Sequence, residues 1–127
     1  MSNKRRWKRL IIGIAVVALA MISVSGYKAA ILRSRESALQ LNLAATRAVI
    51  KQYVKDKQRA PQSLQDLVDA GYFRRDLPLD PISNSTSSWQ PVVGNVVISP
   101  GKTERGITDL HSGSTAASSN GTTYNVW

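Results

Sequence analysis

Apolar and polar positions change their spacing three times along this chain. Residues Leu10 to Gly26 read LIIGIAVVALAMISVSG, seventeen positions without a charge, and Tyr27 extends the run to eighteen. Such a run predicts an α-helix. At about 1.5 Å per residue it covers about 27 Å, close to the hydrocarbon thickness of a bilayer. From Ala29 to Lys57 there is neither proline nor glycine. Leu32, Leu39, Leu43, Thr46, Ile50 and Tyr53 recur there at steps of seven, four, three, four and three. That spacing predicts one apolar face of an amphipathic helix. The apolar helix is expected to run straight into it.

Punctuation then divides the rest. Pro61 predicts the end of the long helix, because the residue before a proline is pushed out of the helical region. Ser63 is a suitable N-cap and Asp66 stands three residues on, a pair resembling a capping box. Leu64, Leu67 and Val68 supply the apolar face of a short second helix, and Gly71 is placed to stop it. Beyond Leu77-Pro78-Leu79-Asp80-Pro81 the pattern becomes β-like. Trp89–Val93 and Val96–Ser99 read as strands separated by a Gly94-Asn95 turn. Pro91 marks the first as an edge strand. Ser99-Pro100-Gly101 is a further turn, and Ile107–Leu110 a third short strand. Residues 112–123 are small and polar and predict a loop. Tyr124-Asn125-Val126-Trp127 closes the chain as a final strand or an aromatic plug. The predicted class is α+β: a long N-terminal membrane-spanning helix continuing into an amphipathic helix, packed on a short helix and a small antiparallel sheet. The expected core is Leu39, Leu43, Ile50, Tyr53, Leu64, Leu67, Val68 and Trp89.

Charge sharpens the membrane reading. The chain has 127 residues, a net charge of +9 and no cysteine. The absence of cysteine excludes a disulfide framework, a thiolate metal site and a cysteine nucleophile. Lys4, Arg5, Arg6, Lys8 and Arg9 precede the apolar run with no acid among them. By the positive-inside rule they predict a cytoplasmic N-terminus. The chain then divides into a basic leader at 1–9, a transmembrane helix at 10–27 and an extracytoplasmic domain at 28–127. Leu10, Ile11, Ile12, Ile14, Val16, Val17, Leu19 and Ile22 are the positions expected to face lipid or other subunits. A cleaved secretory signal is the rival, with a small-x-small site at Ala18-Leu19-Ala20. The apolar run continues past that site, which favours a retained anchor. Arg47, Lys51, Lys55 and Arg59 fall at i, i+4 spacing and form a basic stripe. It reads either as a solvated helix face or as a docking strip for anionic lipid or nucleic acid. No aromatic side chains interleave it to stack bases, so nucleic acid is not expected.

Candidate chemistry is sparse. His111 is the only histidine. Asp109 and Ser112 are its neighbours, but a triad is assembled from separate elements rather than from adjacent loop residues. One histidine and one aspartate are too few ligands for zinc. Calcium on Asp109 with backbone and side-chain oxygens is the one metal site to consider, and it is poor in charge. Asn84-Ser85-Thr86 and Asn120-Gly121-Thr122 match the glycosylation acceptor pattern. No catalytic residue and no organic cofactor is expected.

The order of elements resembles a type IV pilin-like subunit. Ala60-Pro61-Gln62-Ser63-Leu64-Gln65-Asp66-Leu67-Val68, then Gly71-Tyr72, then Leu77-Pro78-Leu79-Asp80-Pro81, resembles the major (G-type) pseudopilin of type II secretion systems. The resemblance implies a pilin-like fold and a structural role. Such subunits wait in the bacterial inner membrane, the domain in the periplasm, until an assembly platform gathers them into a filament. Partners would be other pilin-like subunits and that platform. Members of the family carry a Gly-Phe cleavage site and a glutamate five residues into the mature helix, and bind calcium in a C-terminal loop. Here Gly13 precedes Ile14, no acid occurs before Glu36, and Asp109 is the one carboxylate in 106–127. A permanently tethered relative, or a tethered module binding through its basic stripe, is the alternative.

Overall fold

The computed structural model describes residues 2–127, with side chains from residue 3; residue 1 of the expected leader lies outside the described residues. Helix α1 is Ser2–Lys57 and helix α2 is Gln65–Asp69. Strands β1 (Gln90–Ser99) and β2 (Lys102–His111) form an antiparallel two-stranded sheet. A 3₁₀ turn at Tyr124–Val126 follows. The architecture is α+β. The chain separates into two compact units, Met1–Ser34 and Arg35–Trp127.

The described part of the first unit is helix throughout. Every apolar residue singled out between Leu10 and Ile22 is well exposed, Leu19 at 70%. This stretch is apolar on every face and exposed along its length. Its two central hydroxyls are taken up internally. Ser23 Oγ donates to the Leu19 carbonyl at 2.9 Å and Ser25 Oγ to that of Met21 at 3.1 Å. This back-bonding leaves no side-chain donor needing water within the run.

The second unit has its own core. Leu39, Leu43, Ile50 and Tyr53 bury one stripe of α1 against Leu67, Trp89, Ile107, Leu110 and Tyr124. Leu32, expected on the same stripe, is exposed and belongs to the first unit. Leu64 packs half-buried at the margin of the core. Val68 is half-buried and outside the cluster, a correction to the expected core. Successive residues of a helix point about 100° apart, so with Leu67 aimed at the core Val68 turns partly away.

Four boundaries test the expectations. Helix α1 stops before Pro61: Gln58 adopts a positive φ of 52°, and its N–H still reaches the Val54 carbonyl at 3.0 Å. Helix α2 starts at Gln65, and the expected Ser63–Asp66 pair forms across its start. Asp66 Oδ2 accepts from the N–H groups of Gln62 and Ser63, and the Asp66 N–H reaches Ser63 Oγ. Gly71 (φ 84°) ends α2 as expected from its position. The Tyr72 N–H bonds the Leu67 carbonyl and the Gly71 N–H that of Val68, the two bonds of a Schellman motif.

The third boundary is in the sheet. Gly94-Asn95 is no turn. It lies within β1, with Gly94 opposite Gly106 and Asn95 opposite Arg105. The reversal is at Pro100-Gly101, where proline at the second position and glycine at φ 81° at the third suit a type II turn. Ile107–Leu110, expected as a third strand, is therefore part of the second. Finally, Tyr124 and Trp127 form no strand. They act as an aromatic plug, their rings 5.2 Å apart and nearly edge to face.

The outer edge of β2 is covered by the segment after α1. The Ile107 N–H donates to the Pro61 carbonyl at 2.8 Å, and Gln62 Nε2 to that of Arg105 at 2.8 Å. The Ala60 N–H donates to Glu104 Oε2 at 3.0 Å. Glycine is required at 106, since a Cβ there would sit 2.5 Å from Ala60 Cβ and 2.7 Å from the Pro61 oxygen.

Candidate functional site

Two polar clasps tie the C-terminal segment to the helical stripe of the second unit. The first is Glu36, which is 7% exposed. Its carboxylate accepts the Ser119 N–H at 2.7 Å, Ser119 Oγ at 2.5 Å and the Tyr124 hydroxyl at 2.7 Å. The Ser119 hydroxyl and N–H, with Tyr124, outweigh burial and hold the carboxyl below its ordinary value. Burial and the facing Glu36 push the Tyr124 hydroxyl up to about 12. Glu36 escaped the sequence reading because a charged residue breaks an apolar pattern. Its spacing is the signal: it stands three residues before Leu39, in phase with the buried stripe.

The second clasp is Arg47. Its Nε donates to Asp109 Oδ1 at 2.6 Å, and its Nη2 to the carbonyls of Leu110 and Trp127, each at 3.0 Å. Burial alone pushes the Asp109 carboxyl up, but hydrogen bonds from Arg47 and the Leu110 N–H outweigh it and leave it lowered. Arg47 therefore serves the fold and is a correction to the basic stripe. Lys51, Lys55 and Arg59 remain exposed. Arg59 Nε bonds the Tyr53 hydroxyl at 3.1 Å. Only Lys51 and Lys55 of the four expected cations are uncommitted among the described residues.

The same geometry disposes of the calcium candidate. Asp109 Oδ1 receives both Arg47 and the Leu110 N–H at 2.8 Å, so a guanidinium stands where a cation would bind. No three metal-ligating side chains gather among the described residues. The residues present do not fit a calcium ion.

Asp109, His111 and Ser112 do not converge. Asp109 turns to Arg47 and His111 Nδ1 meets the Trp127 carbonyl. Ser112 Oγ donates to Asp80 Oδ2 at 2.6 Å. Asp80 is fully buried, and its Oδ1 caps the N–H of Ile82 at 2.9 Å. It pins the proline-bracketed turn to the end of β2. The groove beside Arg47, about 440 Å³, is lined by Leu43, Trp127 and polar side chains including Asn120 and Thr122. No nucleophile–base pair faces it. Asn120 Oδ1 accepts the Thr122 N–H at 3.0 Å, so the second acceptor motif is folded into a tight turn.

Two surfaces stand exposed: the apolar exterior of Leu10–Gly26 and the open side of β1. Within Ser2–Lys57 lies one helix long and apolar enough to cross a membrane, near the N-terminus. The chain is thus an α+β protein with one candidate span among the described residues. No family model, characterised protein or solved structure matches it.

Proposed function

We propose that this protein is a single-pass, membrane-anchored structural subunit of pilin-like type, acting by packing against copies of itself or related subunits rather than by catalysis. One observation carries the reading. A single helix type serves two environments, with seventeen consecutive uncharged residues exposed and a stripe thirteen residues further on buried in a small domain. An apolar segment withdrawn from lipid must bury itself against other apolar surface, and identical helices are the nearest supply. The basic residues before Leu10 support a cytoplasmic N-terminus, and the pseudopilin resemblance suggests a bacterial inner membrane with the domain in the periplasm. The short-helix and Pro-x-Asp-Pro segments support the pseudopilin resemblance, and a type II secretion or pilus-related assembly is the setting it suggests. The rival, a tethered module docking anionic lipid through its basic stripe, is weakened by the commitment of Arg47 to Asp109.

The test is the intact mass of the protein recovered from host membranes. A full-length mass supports a permanent anchor. Loss of roughly the first dozen residues supports prepilin-type processing and a filament. Loss near residue 20 means ordinary secretion and overturns the anchor.

A further inference from the structure

Strand β1 has one open side, since the sheet has two strands and its partner β2 lies on the other. Within the regular stretch between the two register shifts, Val93 faces Ile107, Asn95 faces Arg105 and Val97 faces Thr103. The Ile107 N–H points outward, to Pro61, and the Arg105 carbonyl points outward, to Gln62. In an antiparallel ladder the two residues of such a pair both turn their backbone groups away from each other. Val93, Asn95 and Val97 therefore aim their N–H and C=O groups at the free side of β1. Among the described residues no other element reaches those groups.

This edge lacks the usual protection. Exposed edges are commonly guarded by lysine or by short length. Strand β1 runs ten residues, QPVVGNVVIS, without a charge, in a chain of net charge +9. Its Pro91 and both register shifts lie outside 93–97. Val93 is 50% exposed and Val97 70%.

We infer that β1 pairs antiparallel with β1 of a second copy, about a two-fold axis at Asn95. The outward residues Val93, Asn95 and Val97 read the same in both directions. In that register Val93 meets the partner's Val97, and Asn95 meets its own counterpart, giving two valine pairs around an amide pair. An isologous contact needs just such a palindrome. Charge selects the occupant: two copies meet along uncharged strips with no like-charge contact, and a charged partner would find no counter-charge there. The result is a four-stranded sheet spanning two copies. A pairing of five residues a side is small beside the ~1,200–2,000 Å² of a stable complex. It is a weak contact, effective where copies are held at high local concentration. It does not depend on the apolar helix.

The chain has no cysteine, so single-cysteine variants report unambiguously. The full-length Asn95→Cys variant in detergent micelles is oxidised mildly beside a control, Thr115→Cys, on an exposed loop. Facing residues of a hydrogen-bonded pair lie about 5.5 Å apart, within disulfide range. The expected result is covalent dimer about tenfold above the control, because pairing raises the local thiol concentration. Adding Val97→Lys, at a site exposed enough to accept it, returns the yield to the control level while circular dichroism stays unchanged. Equal dimer in the two cysteine variants overturns the inference. So does dimer that survives Val97→Lys, since the copies would then meet elsewhere. Either failure leaves the anchor reading intact, because that reading is tested by the mass of the membrane-bound chain.

Discussion

The two units use α1 in opposite ways. Between Leu10 and Gly26 the helix is apolar on every face and exposed along its length. In the second unit it shows an apolar stripe on a polar helix, and that stripe is almost fully buried. The first region is marked by its hydropathy and length, which need no particular neighbour. The second depends on particular neighbours. Glu36 and Arg47 are charged, yet each is held in place by three hydrogen bonds from or to the C-terminal segment. Tolerance to substitution should therefore differ between the regions in kind as well as degree.

Charge should break the first region and leave the second folded. Val17→Arg combined with Leu19→Arg costs about 3 kcal/mol for each residue placed at mid-membrane. The expected outcome is protein extracted from membranes at alkaline pH, with the circular dichroism of the Arg35–Trp127 unit kept. Volume should do the reverse. Leu39→Ala, at a fully buried site, should lower unfolding stability by about 2–5 kcal/mol in denaturant titrations. Alanine in place of Leu19 should leave that stability unchanged.

A subtler change tests the close approach of the Ala60–Gln62 segment to β2. Gly106→Ala introduces a Cβ at 2.5 Å from Ala60 Cβ, and overpacking of this kind costs about 1–3 kcal/mol. Faster hydrogen exchange at the Ile107 amide is the accompanying sign, because that N–H bonds Pro61.

The smallest effect sharpens the role of the buried carboxylate. Glu36→Gln turns an amide N–H₂ toward groups that themselves donate, at a cost of about 1–2 kcal/mol. The pH dependence follows from the direction of the shift. The folded carboxyl sits below its ordinary value of 4.5, so its contribution is complete above that value. It is lost as pH falls through the folded value, when the protonated group no longer accepts all three bonds. The variant should show a shallower loss of stability on acidification. An unchanged acid slope would mean that Asp66, Glu104 and Asp109, also held below their ordinary values, account for it.

Much of the fold was legible in the sequence because it rests on local periodicity. The uncharged run needed only its length, and the buried stripe needed only its spacing. The Ser63–Asp66 pair and Gly71 marked α2 to within two residues. The strand boundaries were not legible, because Gly94-Asn95 and Pro100-Gly101 are both good turn sequences. The choice between them was made by β2, which offers ten residues of backbone to pair with. Asp109 resembled a metal ligand until its partner, sixty-two residues away, was in place. The sequence alone determined which segments are apolar, how often, and where a helix can stop, since those properties lie within one or two turns of chain. The tertiary structure alone decided which charges are buried, which turn is used and which strand edge stays open. Each of those depends on a hydrogen-bonding partner that only long-range folding brings within reach.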